Sequence, residues 1–86
     1  MPAISRFFGL VISMYHDDHA PPHFHVRYAE YRAKVRIDTL DLEEGELPRR
    51  ALAMVLEWAV LHRTELRSSW SKAQMGLPLE QIKPLE

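Results

Sequence analysis

The chain has 86 residues, a formal net charge of −1 at pH 7 and no cysteine. That length fits one domain, residues 1–86, with a small core, and the missing cysteine excludes disulfides, thiolate metal ligands and cysteine nucleophiles. The near-neutral balance removes any global basic signature for nucleic acid, so the placement of charge matters more than its sum.

The opening stretch, MPAISRFFGLVISMY, is too short and too interrupted an apolar run to span a bilayer. It lacks a basic leader followed by a small-residue cleavage site, and a soluble, cytoplasmic protein with no membrane contact is expected. Residues 4–15 are rich in Ile, Phe, Val and Tyr and read as a strand with a bend at Gly9. Asp17 to Pro22 reads as a loop, since its two prolines cannot donate to a ladder.

From His23 to Asp38 the alternation is clean. Phe24, Val26 and Tyr28 share one face, and His23, His25 and Arg27 share the other. Tyr31, Ala33, Val35 and Ile37 then alternate with Arg32, Lys34, Arg36 and Asp38. Two antiparallel strands joined at Ala29–Glu30 are expected, with Arg27 across from Arg32, His25 from Lys34 and His23 from Arg36. Residues 39–47 read as an acidic loop.

Leu47-Pro48 opens a helix, proline being suited to its start. Leu52, Val55, Leu56, Ala59, Leu66, Trp70 and Ala73 make one apolar stripe at helical spacing, with Gly76 as its C-terminal cap. Trp58 falls off that stripe and marks a candidate partner surface. His62 reads as a helix-edge or core histidine bonded to a carbonyl. The last ten residues, LPLEQIKPLE, are expected to lie extended against something apolar. The predicted class is α+β: a three-stranded antiparallel sheet covered on one face by one long C-terminal helix, β-β-β-α.

Residues 16–25, HDDHAPPHFH, hold four of the five histidines. The helix covers one sheet face and leaves the other to His23, His25, Arg27, Arg32, Lys34 and Arg36. Such charges commonly only solvate an exposed face and block edge pairing, and the acidic loop (Asp38, Asp41, Glu43, Glu44, Glu46) could serve as internal counterion. Like charges directly opposed are nonetheless destabilising, and a polyanion relieves them. Arginine outnumbers lysine eight to three, a bias that suits bidentate contact with phosphate. Imidazoles among phosphate-binding cations suit acid–base chemistry on a ribose 2′-hydroxyl. A metal is the competing reading: His23-x-His25 puts two rings on one side of a strand, with His16, Asp17, Asp18 and His19 nearby.

MPAISRFFGLVISMY, DHAPPHFHVRY, IDTLDLEEGELPRRAL and VLEWAVLHRTEL together resemble a family of small bacterial and archaeal proteins, domain of unknown function four-one-six-zero. Its recurring elements map to Ile4, Ser5, Arg6 and Phe7; to Asp18, His19, Pro21, Pro22, His23, Phe24 and His25; to Gly45, Leu47, Pro48 and Arg50; and to Leu56, Glu57, Trp58 and His62. His16 is not part of that pattern, and Ala29–Glu30 stands where relatives often have glycine. The resemblance implies one half of a two-gene module of toxin–antitoxin type, with a cognate small protein as partner. HFHV, the basic hairpin and LPRRAL also follow an order similar to HicA-type mRNA interferases, without their N-terminal helix; this is likeness of layout only.

The expectation is therefore a toxin-like, RNA-binding protein that cleaves RNA without a metal or other cofactor. His25 acts as general base or acid, His23 or His19 is its complement, and Asp18 orients His19 or His23. Arg27, Arg32, Lys34 and Arg36 hold phosphates. Two rivals are a non-catalytic binding module, and a metal-binding domain using His19, His23 and His25.

Overall fold

Two left-handed residues explain why the N-terminal apolar run is not one strand. Phe8 and Gly9 have φ of 48° and 82°, and a two-residue turn with positive φ at both positions matches the twist of a tight hairpin. In the computed structural model, which describes residues 3–86, the run is split there into β1 (Ala3–Phe7) and β2 (Leu10–Ser13). β3 (His23–Tyr28) and β4 (Tyr31–Arg36) follow, then β5 (Leu42–Gly45), α1 (Arg49–Leu61) and α2 (Arg63–Gln74). The class is α+β, but the antiparallel sheet has five strands in the order β1-β2-β3-β4-β5, not three.

The β3–β4 register is the one expected: His23 pairs Arg36, His25 pairs Lys34 and Arg27 pairs Arg32. The turn uses Ala29 at φ 52°. β5 arises inside the acidic stretch expected to be loop. Gly45 makes that pairing feasible, because a Cβ there would lie 2.0 Å from the Arg32 carbonyl oxygen, and its φ of 79° suits glycine.

The single long helix is also corrected. The chain breaks at His62, with φ −120° and ψ 24°. No proline or glycine marks the place. The His62 ring lies 5.6 Å from that of Trp58. Its Nδ1 meets Glu65 Oε1 at 2.6 Å rather than a carbonyl, and Glu65 is the acidic residue in the first turn of α2, where the helix dipole favours it. α2 ends as expected near Gly76, with the Leu77 N–H on the Lys72 carbonyl and the Gly76 N–H on the Ala73 carbonyl, a paired Schellman closure.

The core lies between the helices and one sheet face. Ile4, Leu10, Ile12, Phe24, Val35, Val55, Trp58, Leu66 and Ala73 are all buried. Trp58 is fully buried, so it is no partner surface. Its ring meets Phe7 and Phe24 at centroid distances of 5.5 and 5.9 Å, and its indole N–H donates to the Lys83 carbonyl at 2.9 Å. The buried stripe runs through Ala51, Val55, Trp58 and Ala59 in α1, while Leu52 and Leu56 are only half-buried. Val55, Ala59, Leu66, Trp70 and Ala73 of the expected stripe are buried, with Ala51 and Trp58 taking the places expected for Leu52 and Leu56.

The C-terminal tail lies on the chain itself. Ile82 is buried, and its N–H donates to the Ile4 carbonyl at 2.7 Å, covering the outer edge of β1. No helix among the described residues is long and apolar enough to cross a membrane.

Candidate functional site

Asp18 gathers the histidines. Its loop leaves β2, is tied to the end of α2 by the Gln74 side-chain amide donating to the Asp18 carbonyl at 3.0 Å, and enters β3. That route brings the carboxylate over the start of β3, where His23 and His25 share one face. Oδ2 lies 2.9 Å from His23 Nε2 and 3.0 Å from His25 Nε2. Oδ1 accepts the His19 backbone N–H at 2.9 Å. Burial pushes the Asp18 carboxyl up. The hydrogen bonds from His25 and the His19 backbone, and the charge and hydrogen bond of His23, outweigh it and hold the group below its ordinary value.

The two rings have different surroundings. His23 does not stand on an open face, as the strand alternation led one to expect. It is 2% exposed, because α2 passes over that end of the sheet and Trp70 lies 5.2 Å from the ring. Its Nδ1 lies 2.8 Å from the Pro21 carbonyl oxygen. Both nitrogens therefore face acceptors. A neutral imidazole has one N–H and donates to only one of them. His25 is 31% exposed, and Tyr15 packs edge-on at 4.5 Å. With Nε2 committed to Asp18, its Nδ1 has no partner among the described residues.

His19 is exposed, and only its backbone joins the cluster. It is not one of the groups that converge, so the expected set His19, His23, His25 is corrected to Asp18, His23 and His25, whose ligand atoms lie within 4.8 Å of one another. Likewise Asp18 orients His23 and His25, not the His19 ring. His16 lies elsewhere, its Nε2 3.0 Å from the Leu77 carbonyl oxygen.

The four expected phosphate-binding cations divide into two pairs. Lys34 meets Glu44 at 3.6 Å and Arg36 meets Asp38 at 3.1 Å, so the acidic stretch does act as counterion there. The Arg36 guanidinium holds the exposed Asp38 carboxyl below its ordinary value. Arg27 and Arg32, opposite one another and exposed, have no carboxylate partner among the described residues. They line a cleft together with Tyr15 and His25.

The strand pairing adds a residue that the sequence reading missed. Arg6 pairs Val11, Val11 pairs Arg27 and Arg27 pairs Arg32. These four form one cross-strand row spanning three strand spacings, roughly 14 Å. Arg6 is exposed and also lacks a carboxylate partner among the described residues. Recognising Phe8-Gly9 as a turn would have placed it on this face.

The family model described as Domain of unknown function (DUF4160) matches residues 9–71. The chain belongs to that family. The match takes in the histidine stretch, the basic hairpin and most of both helices, but not residues 4–7 or the tail. No curated protein and no solved structure matches the chain.

Proposed function

We propose that this member of the DUF4160 family is a toxin-like protein that binds RNA on the open sheet face and cleaves it with His25. The observation that carries the reading is the cleft in which His25, fixed by Asp18, stands beside Arg27 and Arg32, which have no carboxylate partner among the described residues. An arginine pair is suited to hold a backbone phosphate in bidentate fashion. The Asp18 bond to Nε2 leaves Nδ1 of His25 as proton acceptor, the logic by which a carboxylate fixes an imidazole tautomer in acid–base catalysis.

In this reading Nδ1 takes the proton of a ribose 2′-hydroxyl, and the oxygen attacks the adjacent phosphorus. The P–O5′ bond breaks, giving a 2′,3′-cyclic phosphate and a 5′-hydroxyl. Arg27 and Arg32 stabilise the charge that develops on phosphorus. His23 cannot be the complementary acid, since it is buried and both its nitrogens are engaged. The leaving oxygen takes its proton from water, since the exposed His19 ring does not line the cleft with His25, Arg27 and Arg32. In the two-gene arrangement that the family resemblance implies, an acidic cognate protein would silence the domain by covering Arg6, Arg27 and Arg32.

Labelled single-stranded RNA and fluorescence anisotropy test the binding step. Arg27→Ala should flatten the slope of log affinity against log salt by about 0.7, one phosphate contact on a single strand. Arg27→Glu and Arg32→Glu should each weaken binding at least ~10-fold at low salt. Unchanged affinity in both reversals would remove RNA from this face.

A further inference from the structure

We infer that Asp18, His23 and His25 bind one first-row divalent cation, zinc foremost, in the place otherwise filled by protons. Three observations support this. The ligand atoms Asp18 Oδ2, His23 Nε2 and His25 Nε2 lie within 4.8 Å of one another. His23 is buried, and its Nδ1 donates to the Pro21 carbonyl at 2.8 Å. A metal-binding histidine is fixed in just this way, its second nitrogen bonded to a carbonyl so that the other lone pair turns to the metal. Finally, one carboxylate oxygen of Asp18 faces both rings, 2.9 Å from His23 Nε2 and 3.0 Å from His25 Nε2.

Carboxylate and imidazole ligands sit about 2.0–2.2 Å from zinc. Around a tetrahedral centre that puts them about 3.4 Å apart. The separations of 2.9 and 3.0 Å to Asp18 widen by a few tenths of an ångström, and the two imidazole nitrogens, within 4.8 Å of one another, draw together toward that spacing. The donor set of two imidazoles and one carboxylate suits zinc and its neighbours, not magnesium or calcium.

A cation held here also switches the site off, a consequence that rests on the cleavage reading. When His25 Nε2 binds the metal, the neutral ring carries its proton on Nδ1. That nitrogen then donates and can no longer accept the proton of a 2′-hydroxyl. The metal and the RNA chemistry exclude each other at one ring.

Titration of the purified, metal-free full chain with zinc chloride, followed calorimetrically, tests the binding. Uptake of one zinc per chain is expected, abolished or weakened at least ~10-fold in Asp18→Asn and in His25→Gln, with His16→Ala unchanged. Circular dichroism identifies variants that have lost the fold; His25→Gln, at a half-exposed ring, keeps the measurement decisive if Asp18→Asn unfolds. No uptake by the wild type, or uptake unaltered in a folded His25→Gln, overturns the site. RNA cleavage measured with and without zinc is a separate arm: inhibition reversed by EDTA is expected, and full activity in saturating zinc overturns the switch while leaving the calorimetry to judge the site.

Discussion

His25→Ala is expected to lower RNA cleavage by about 10²–10⁴-fold, the usual contribution of a positioned general base. The fold should survive. The ring is part-exposed, and Asp18 keeps His23 and the His19 N–H as partners when it goes. The lost hydrogen bond is worth about 1 kcal/mol, or roughly 4–8 °C in Tm for a domain of this size. His23→Ala should behave in the opposite way. It strips the Pro21 carbonyl and the Asp18 carboxylate of a buried partner and opens a cavity against Trp70. Its first effect is on stability. Single-turnover cleavage beside thermal melts of the two variants separates these roles. Wild-type activity in a folded His25→Ala protein would remove the mechanism.

Trp58→Ala is expected to destabilise the protein by about 3–5 kcal/mol, the range for a large buried aromatic cut to alanine. Whole domains are commonly stable by only about 5–15 kcal/mol, so a loss of this size removes a large share of the total. The indole is fully buried, packs on Phe7, Phe24 and His62, and fastens the tail through Lys83. Trp58→Phe keeps the ring contacts and loses the tail bond, so it should cost less. Urea denaturation of the three proteins measures both effects. A loss below about 1 kcal/mol in Trp58→Ala would show that the side chain is not the centre of this core.

The hairpin at the heart of the site was legible in the sequence because its two strands alternate without interruption. Any even register keeps both faces, and the two-residue turn at Ala29–Glu30 selects the one formed. The N-terminal hairpin was not legible: Phe8-Gly9 lacks the usual Asn-Gly signal, and Phe8 occupies a left-handed position that its residue type disfavours. That one omission lost a strand and hid Arg6. β5 was hidden by its acidic composition, since LEEG reads as loop until Gly45 is seen against the Arg32 carbonyl. The break at His62 carries no helix-stopping residue. At the site, the sequence showed that His23 and His25 share a face, but not that α2 would bury the first and leave the second part-exposed. It named Asp18 as an orienting group. That one oxygen meets both rings depends on a loop path held by Gln74, 56 residues away in the chain, which no local pattern encodes.

The most direct test of RNA cleavage by His25 is the chemistry of the cut ends. A labelled single-stranded RNA and the DNA of the same sequence are incubated in EDTA with the wild-type protein and with His25→Ala. Product termini are then resolved by mass. The prediction is RNA fragments ending in 2′,3′-cyclic phosphate with the wild type, none with His25→Ala, and intact DNA with both. Intact RNA, or DNA cut as readily as RNA, would contradict a 2′-hydroxyl attack set off by His25 and leave the basic face as a binding surface alone.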